Sequence, residues 1–300
     1  MSELWLEDLR FSIPAPDGST YTFGRYGLDE VVILTGGWDV GDDAWKVQDS
    51  QPPGSDIIMA GRDDITPPTW TLSVLVERDG DVMAALDRLK WVWRGGTTRR
   101  TPGAALPLSY ARAGQQRMVY GRPRRFTIEP PEVWSDDFAL ATLEFKLTDP
   151  TVYGGGDRWS QTLSLAQPAR AGWIWGAFDY PWPSGVFGIA ERQGVLEVGS
   201  APVSFAVEFR GDPAVPTAGA TLLGPGWKIA LREPLRPGQV VTVDTQARSV
   251  LVDGERKPAL TADSTLAATL PDGQVEVVFT ADAPTGATAT VSWRPGYVSI

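Results

Sequence analysis

Carboxylates are the first groups in this chain that could do chemistry. Adjacent acids occur at Asp42-Asp43, Asp63-Asp64 and Asp136-Asp137. Two carboxylates flanking a glycosidic bond are the minimum a glycosidase requires. Neighbours along a strand point to opposite faces, so adjacency alone does not aim two acids at one bond. The chain contains no Cys and no His. Disulfides, thiolate nucleophiles, Ser-His-Asp catalysis and nearly every catalytic zinc site are thereby excluded. The spacings of an EF-hand loop, a phosphate-binding loop and a dinucleotide fingerprint are also absent. The expectation is a chain without catalytic residues, cofactor or metal, in a structural or binding role.

Aromatic rings offer a second kind of chemistry. Thirteen Trp are present, and the densest cluster runs from Gly172 to Trp182 with Trp173, Trp175 and Trp182. Trp faces stack on sugar rings and also anchor protein contacts, so these three residues are candidates for a glycan or partner surface. The plainer reading is that alternate rings cap the core of a second domain, since positions i and i+2 share one strand face.

Charge supplies the third feature. The total is 27 Lys+Arg against 37 Asp+Glu, a net of −10. Residues 1–87 carry 17 acids and 5 bases, whereas residues 88–125 carry ten bases and no acid. The two regions either neutralise each other within one domain or face each other on adjacent protomers, where they would set the register of an assembly. Nucleic-acid binding is a third reading, since Arg-rich segments bind phosphate, and the acidic total opposes it. Arg99, Arg100, Arg122, Arg124 and Arg125 are the interface candidates on the second reading.

The elements that must position these groups are mostly strands. Trp70, Leu72, Val74 and Val76 alternate with Thr71, Ser73, Leu75 and Glu77. The same period of two recurs at Leu143–Leu147, Val203–Phe209, Val275–Phe279 and Ala289–Trp293, as half-buried antiparallel strands require. Asp253-Gly254 between Ser249–Val252 and Glu255–Lys257 marks a two-residue hairpin. One segment reads as helix, 81–94, with Val82, Ala85, Leu86, Leu89 and Trp93 on one stripe. Asp79 and Asp81 suit its N-terminal end, Arg94 the other, and Gly95-Gly96 supplies the stop.

Three hundred residues suggest two domains at roughly 100–200 residues each. The expected division is an N-terminal β domain with one helix over 1–153, a Gly-rich linker over 154–158, and a second β domain over 159–300. The fold class is mainly β, with sandwich-like or barrel-like domains. No apolar run approaches the roughly 20 residues a membrane span needs, and Met1–Trp5 lacks the plan of a signal peptide, so an intracellular start is expected.

Several stretches together resemble the distal tail proteins of long-tailed phages, especially those infecting actinobacteria, often labelled minor tail proteins. The resemblance lies in Val198-Gly199-Ser200-Ala201-Pro202 and the strand Val203–Gly211. It continues through Pro237–Thr245 and the hairpin Val250–Gly254, and closes with Val291-Ser292-Trp293-Arg294. In the first half, Val119–Arg125 is similar to the family's basic strand, and the helix over 81–94 lies where the family places its own. Val198 departs from the Asn expected before that Gly.

The resemblance implies a hexameric ring at the distal end of the tail of a siphophage. The N-terminal domain would form the ring and a galectin-like sandwich would sit at its periphery. Its implied partners are further copies of the chain, the tail tube protein, the tail-tip hub or tail-associated protein of the baseplate, and the tape measure protein. DNA would pass through the lumen, with no sequence-specific nucleic-acid contact and no membrane. The protein would be made in the host cytoplasm and act in the virion. The alternative function is a carbohydrate-binding module reading host cell-wall glycans.

Overall fold

The computed structural model describes residues 8–42, 44–51, 53, 56–61, 63–77, 81–130, 138–165, 190–282 and 285–298. The chain forms two compact units divided between Gly156 and Asp157.

The first unit contains β1 (Phe11–Pro14), β2 (Thr20–Phe23), β3 (Val31–Asp39), β4 (Ala44–Lys46), β5 (Asp64–Thr66) and β6 (Thr69–Glu77). Helix α1 (Val82–Trp93) and a 3-10 turn (Gly96–Arg99) follow, then β7 (Leu106–Arg112), β8 (Gln115–Ile128), β9 (Phe138–Leu147) and β10 (Val152–Gly154). Its main sheet runs β2-β1-β7-β8-β9-β6-β3, with β10 also on β8. A parallel bridge from Gly24 to Val32 brings the end of β2 against β3, so the two ends of this path meet.

Alternation explains the core. Trp70, Leu72, Val74 and Val76 of β6 are buried, as are Ala141, Leu143, Phe145 and Leu147 of β9. The register sets Trp70 opposite Phe145 and Leu72 opposite Leu143. Edge-to-face contacts join Trp38 to Phe11, Trp70 and Tyr110 with centroids 5.1–5.4 Å apart, the geometry favoured by ring quadrupoles.

Helix α1 forms where its stripe predicts. The Asp81 carboxylate accepts from the Ala84 N–H at 3.1 Å, capping the first turn. Val82, Ala85, Leu86, Leu89, Val92 and Trp93 are buried. Gly95 ends the helix in the left-handed region, its N–H donating to Val92 O.

The expected linker is occupied differently. Gly154 pairs with Arg117 in the ladder, and the Gly155 N–H donates to Gln116 O at 3.0 Å. A Cβ on Gly155 would stand 2.9 Å from the Gln116 carbonyl carbon. These glycines permit a close backbone approach, where the sequence suggested an open joint.

The second unit contains β11 (Trp159–Ser164), β12 (Ala190–Glu197), β13 (Phe205–Arg210), β14 (Thr221–Gly224) and β15 (Trp227–Ala230). It continues with β16 (Val240–Asp244), β17 (Ser249–Val252), β18 (Glu255–Arg256), β19 (Gln274–Ala281) and β20 (Thr288–Trp293). One sheet is ordered β11-β20-β13-β16-β17-β18 and the other β12-β19-β14-β15. Phe209 of the first meets Phe279 of the second at 5.9 Å between centroids, and Phe205 meets Trp227 at 4.8 Å. This is a two-sheet antiparallel sandwich.

The short motifs of this unit have local physical reasons. Asp244 accepts from the Ala247 N–H and so closes the turn after β16. The buried Thr245 hydroxyl donates to Phe205 O at 2.9 Å and accepts from Phe205 N at 3.0 Å. Replacing Thr245 with Val keeps the shape but takes the hydroxyl away from the buried Phe205 N–H, while Phe205 O keeps the Thr245 N–H at 3.0 Å. The expected loss is about 1–3 kcal/mol, read as a lowered denaturant midpoint with unchanged slope.

Gly199 has φ +106, and a Cβ there would stand 2.2 Å from Gly296 O. The backbone crossing therefore excludes every other residue. Val198, where the resemblance suggested Asn, is fully buried. Its N–H donates to Gly273 O and its carbonyl accepts from Gly296, so this position needs an apolar side chain.

Candidate assembly surface

Three elements of the first unit converge on one basic face. Strand β8 carries a bulge between Pro123 and Phe126. Pro123 has no N–H to give a ladder, and a bulge is where a sheet tolerates that. The irregularity sends Arg124 and Arg125 outward, both exposed. It also leaves carbonyls that need donors. The Trp93 indole N–H donates to Arg125 O at 3.1 Å. The Arg99 guanidinium donates to Pro123 O at 2.8 Å and also reaches Arg124 O. The end of α1, the 3-10 turn and the bulge are thus fastened together.

The five predicted arginines divide into two roles. Arg99 and Arg122 spend hydrogen bonds on their own chain: Arg122 donates to Ala104 O and to Thr101 O. Arg100, Arg124 and Arg125 lie exposed. Arg125 reaches Glu144 only at 3.8 Å and stays 68 % exposed, so solvent screens that pair and it contributes little. Arg94 and Lys90 are exposed on the same helix, and Trp91 between them is 42 % exposed. Sequence reasoning missed Trp91, because the helical stripe drew attention to its buried neighbours.

The other candidates are placed as follows. Trp173, Trp175 and Trp182 lie outside the described residues, as do Asp43 and the pair Asp136-Asp137. Asp63 and Asp64 are exposed, and Asp64 already accepts from Gln48 Nε2 at 2.9 Å. Among the described residues no group of three His, Cys, Asp or Glu is arranged to hold a metal. None of their helices is long and apolar enough to cross a membrane.

Titration is perturbed mainly where groups are buried or bonded. Burial pushes the Tyr21 phenol up to about 12 and raises Tyr110 and Tyr153 further. The Lys228 ammonium donates to Asp263 at 2.6 Å and holds that carboxyl down at about 2. Each of these shifts has a structural cause in a neighbour or in burial.

Were this face to contact a second copy of the chain, reversing Arg124 and Arg125 to Glu together would weaken that association on the order of ten-fold or more, since like charges facing across an interface cost several kcal/mol. Sedimentation of the variant reads this. Stability should change little, because both side chains are exposed.

The site defines a class first: a two-unit β protein whose first unit exposes a basic face around the half-exposed Trp91. No protein-family model and no curated protein sequence matches the chain. Solved structures do. The chain is similar to the SPP1 Dit (gp 19.1) protein, described as a paradigm of the hub adsorption apparatus in phages infecting Gram-positive hosts, with TM-score 0.61 and 12 % identity over 95 % of this chain and 98 % of that one. It is also similar to a chain of the phage P2 baseplate in its activated conformation with Ca, with TM-score 0.52 and 10 % identity over 97 % and 99 %. The strontium form of that baseplate gives the same values. At such identities the likeness is one of fold, and it spans both units in their order.

Proposed function

We propose that this protein is a structural component of a phage tail tip, a distal tail protein without catalytic activity. Its first unit closes a head-to-tail ring, hexameric by family resemblance. The ring joins the tail tube to the tail-tip hub and leaves a lumen for DNA. The observation that carries this reading is the likeness to a phage hub protein over nearly the whole of both chains.

The mechanism is geometric. A heterologous interface repeats around an axis, and if the rotation closes, each copy both offers and receives one contact surface. The basic face at α1 and β8 is the receiving surface in this account. The tube meets one side of the ring and the hub the other.

Antibody labelling of intact virions tests the location. Label at the junction of tail tube and tip is expected, and label on the capsid or along the whole tube would contradict the reading.

A further inference from the structure

Residues 231–239 carry the chain from β15 in one sheet of the sandwich to β16 in the other. With the β17–β18 hairpin and residues 257–259 they enclose a groove of about 440 Å³. Small-molecule sites occupy roughly 300–1,000 Å³. Leu231, Leu235 and Val241 give the groove a buried apolar lining. Pro234 in one wall and Pro258 in the other restrict the backbone.

The walls are held by their own hydrogen bonds. Thr217 and Leu235 exchange N–H to carbonyl bonds of 2.9 and 2.8 Å, and the Arg232 N–H donates to Ala259 O at 2.8 Å. The Gln239 side-chain oxygen accepts from the Arg236 N–H at 3.1 Å. The Asp253 carboxylate accepts from the Val240 N–H at 3.0 Å, which ties the hairpin to β16. A site held in this way loses little freedom when a ligand enters.

The charged groups of the groove differ in what they have left to offer. Asp253 is engaged as above, and Lys257 pairs with Glu255 at 2.6 Å. Arg232, Glu233 and Arg236 are exposed. Among the described residues none of these three side chains has an ion-pair or hydrogen-bond partner. Two guanidinium forks on one short connection suit a carboxylate or a phosphate. Glu233, an acceptor only, suits hydroxyl donors. The apolar lining suits a carbon skeleton. Because the whole chain carries −10, its overall field repels an anion, and the local donors must hold it.

We propose that this groove binds a hydroxylated organic anion, an acidic sugar or a polyol phosphate. Arg232 and Arg236 take the anionic group, Glu233 accepts from hydroxyls, and Leu235 and Val241 lie against the carbon skeleton. The site lies wholly within the second unit and needs no second copy of the chain, so it stands or falls apart from the ring.

Calorimetric titration of the full chain with glucuronate, glycerol phosphate, inorganic phosphate and glucose tests this. Saturable binding of glucuronate or glycerol phosphate is expected, with glucose silent. Arg232→Gln with Arg236→Gln should weaken that binding on the order of ten-fold or more. The denaturant midpoint should not move, because both side chains are exposed. Arg192→Gln with Arg256→Gln removes the same charge at exposed positions outside the groove and should leave binding unchanged. Glu233→Ala should weaken glucuronate and strengthen inorganic phosphate, each roughly three-fold.

Poly(glycerol phosphate) separates the two sources of this chemistry. Tighter binding per phosphate than glycerol phosphate assigns the site to a wall polymer, equal binding assigns it to a free solute, and either supports the groove. No saturable binding of either hydroxylated anion would overturn the site. Equal losses in the two arginine pairs would reduce it to long-range attraction and overturn it as well. Inorganic phosphate held as tightly as glycerol phosphate would overturn the ligand class.

Discussion

Trp93→Ala should cost the first unit about 3–5 kcal/mol, the range for deleting a buried aromatic ring. Trp93 is 2 % exposed and touches Phe23 and Phe145 with centroids at 6.4 and 6.1 Å. Its indole N–H also holds Arg125 O. The substitution therefore opens a cavity between helix and sheet and releases the bulge that presents Arg124 and Arg125. Both thermal stability and self-association should fall. Trp93→Phe narrows the comparison, since it keeps one aromatic ring in the core and removes the hydrogen bond with the remaining part of the indole. That variant should lose about 1–3 kcal/mol. Equal losses for Ala and Phe, measured by denaturant unfolding, would contradict this account of the site.

Trp293→Ala is the matching prediction for the sandwich, again with an expected loss of about 3–5 kcal/mol. Trp293 closes β20, the strand between β11 and β13, and is 4 % exposed. Its partners across the sheet are Trp159 on one side and Phe205 on the other. The indole N–H donates to Glu197 O at 2.8 Å, which pins the end of β12 beside the Gly199 crossing. Near-ultraviolet circular dichroism and unfolding should both report the loss. A variant as stable as the parent would show that the ring is not a core element.

Much of the fold was legible in the sequence because half-buried strands advertise themselves. Period two at Trp70–Val76 and Leu143–Leu147 reflects one face inward and one outward, and those residues became β6 and β9. The helix stripe was equally plain, and its cap Asp81 and stop Gly95 behaved as their chemistry requires. Asp253-Gly254 turned where both residues take positive φ. The β7–β8 hairpin was not legible, because Ala113-Gly114 makes the turn with Ala at φ +51, a residue that carries no turn signal.

The site was only half legible. Sequence shows where charge lies but not where it points. Arg99 and Arg122 turned to carbonyls of their own chain, while Arg124 and Arg125 were displaced outward by a bulge that follows Pro123. The β4–β5 pair was missed because the sequence around it shows no sustained alternation. Its strands pair over three residues and bury no face in their own unit. Gly154 and Gly155 illustrate a second ambiguity, since glycine serves both flexible joints and tight crossings.

The most direct test of the central claim is the mass and symmetry of the purified chain, by light scattering with negative-stain imaging. The account predicts a closed ring with an open centre, six-fold by the resemblance, and a mass that is an integral multiple of the protomer. A monodisperse monomer over the whole concentration range, or a two-fold dimer that buries the same patch on both copies, would contradict it.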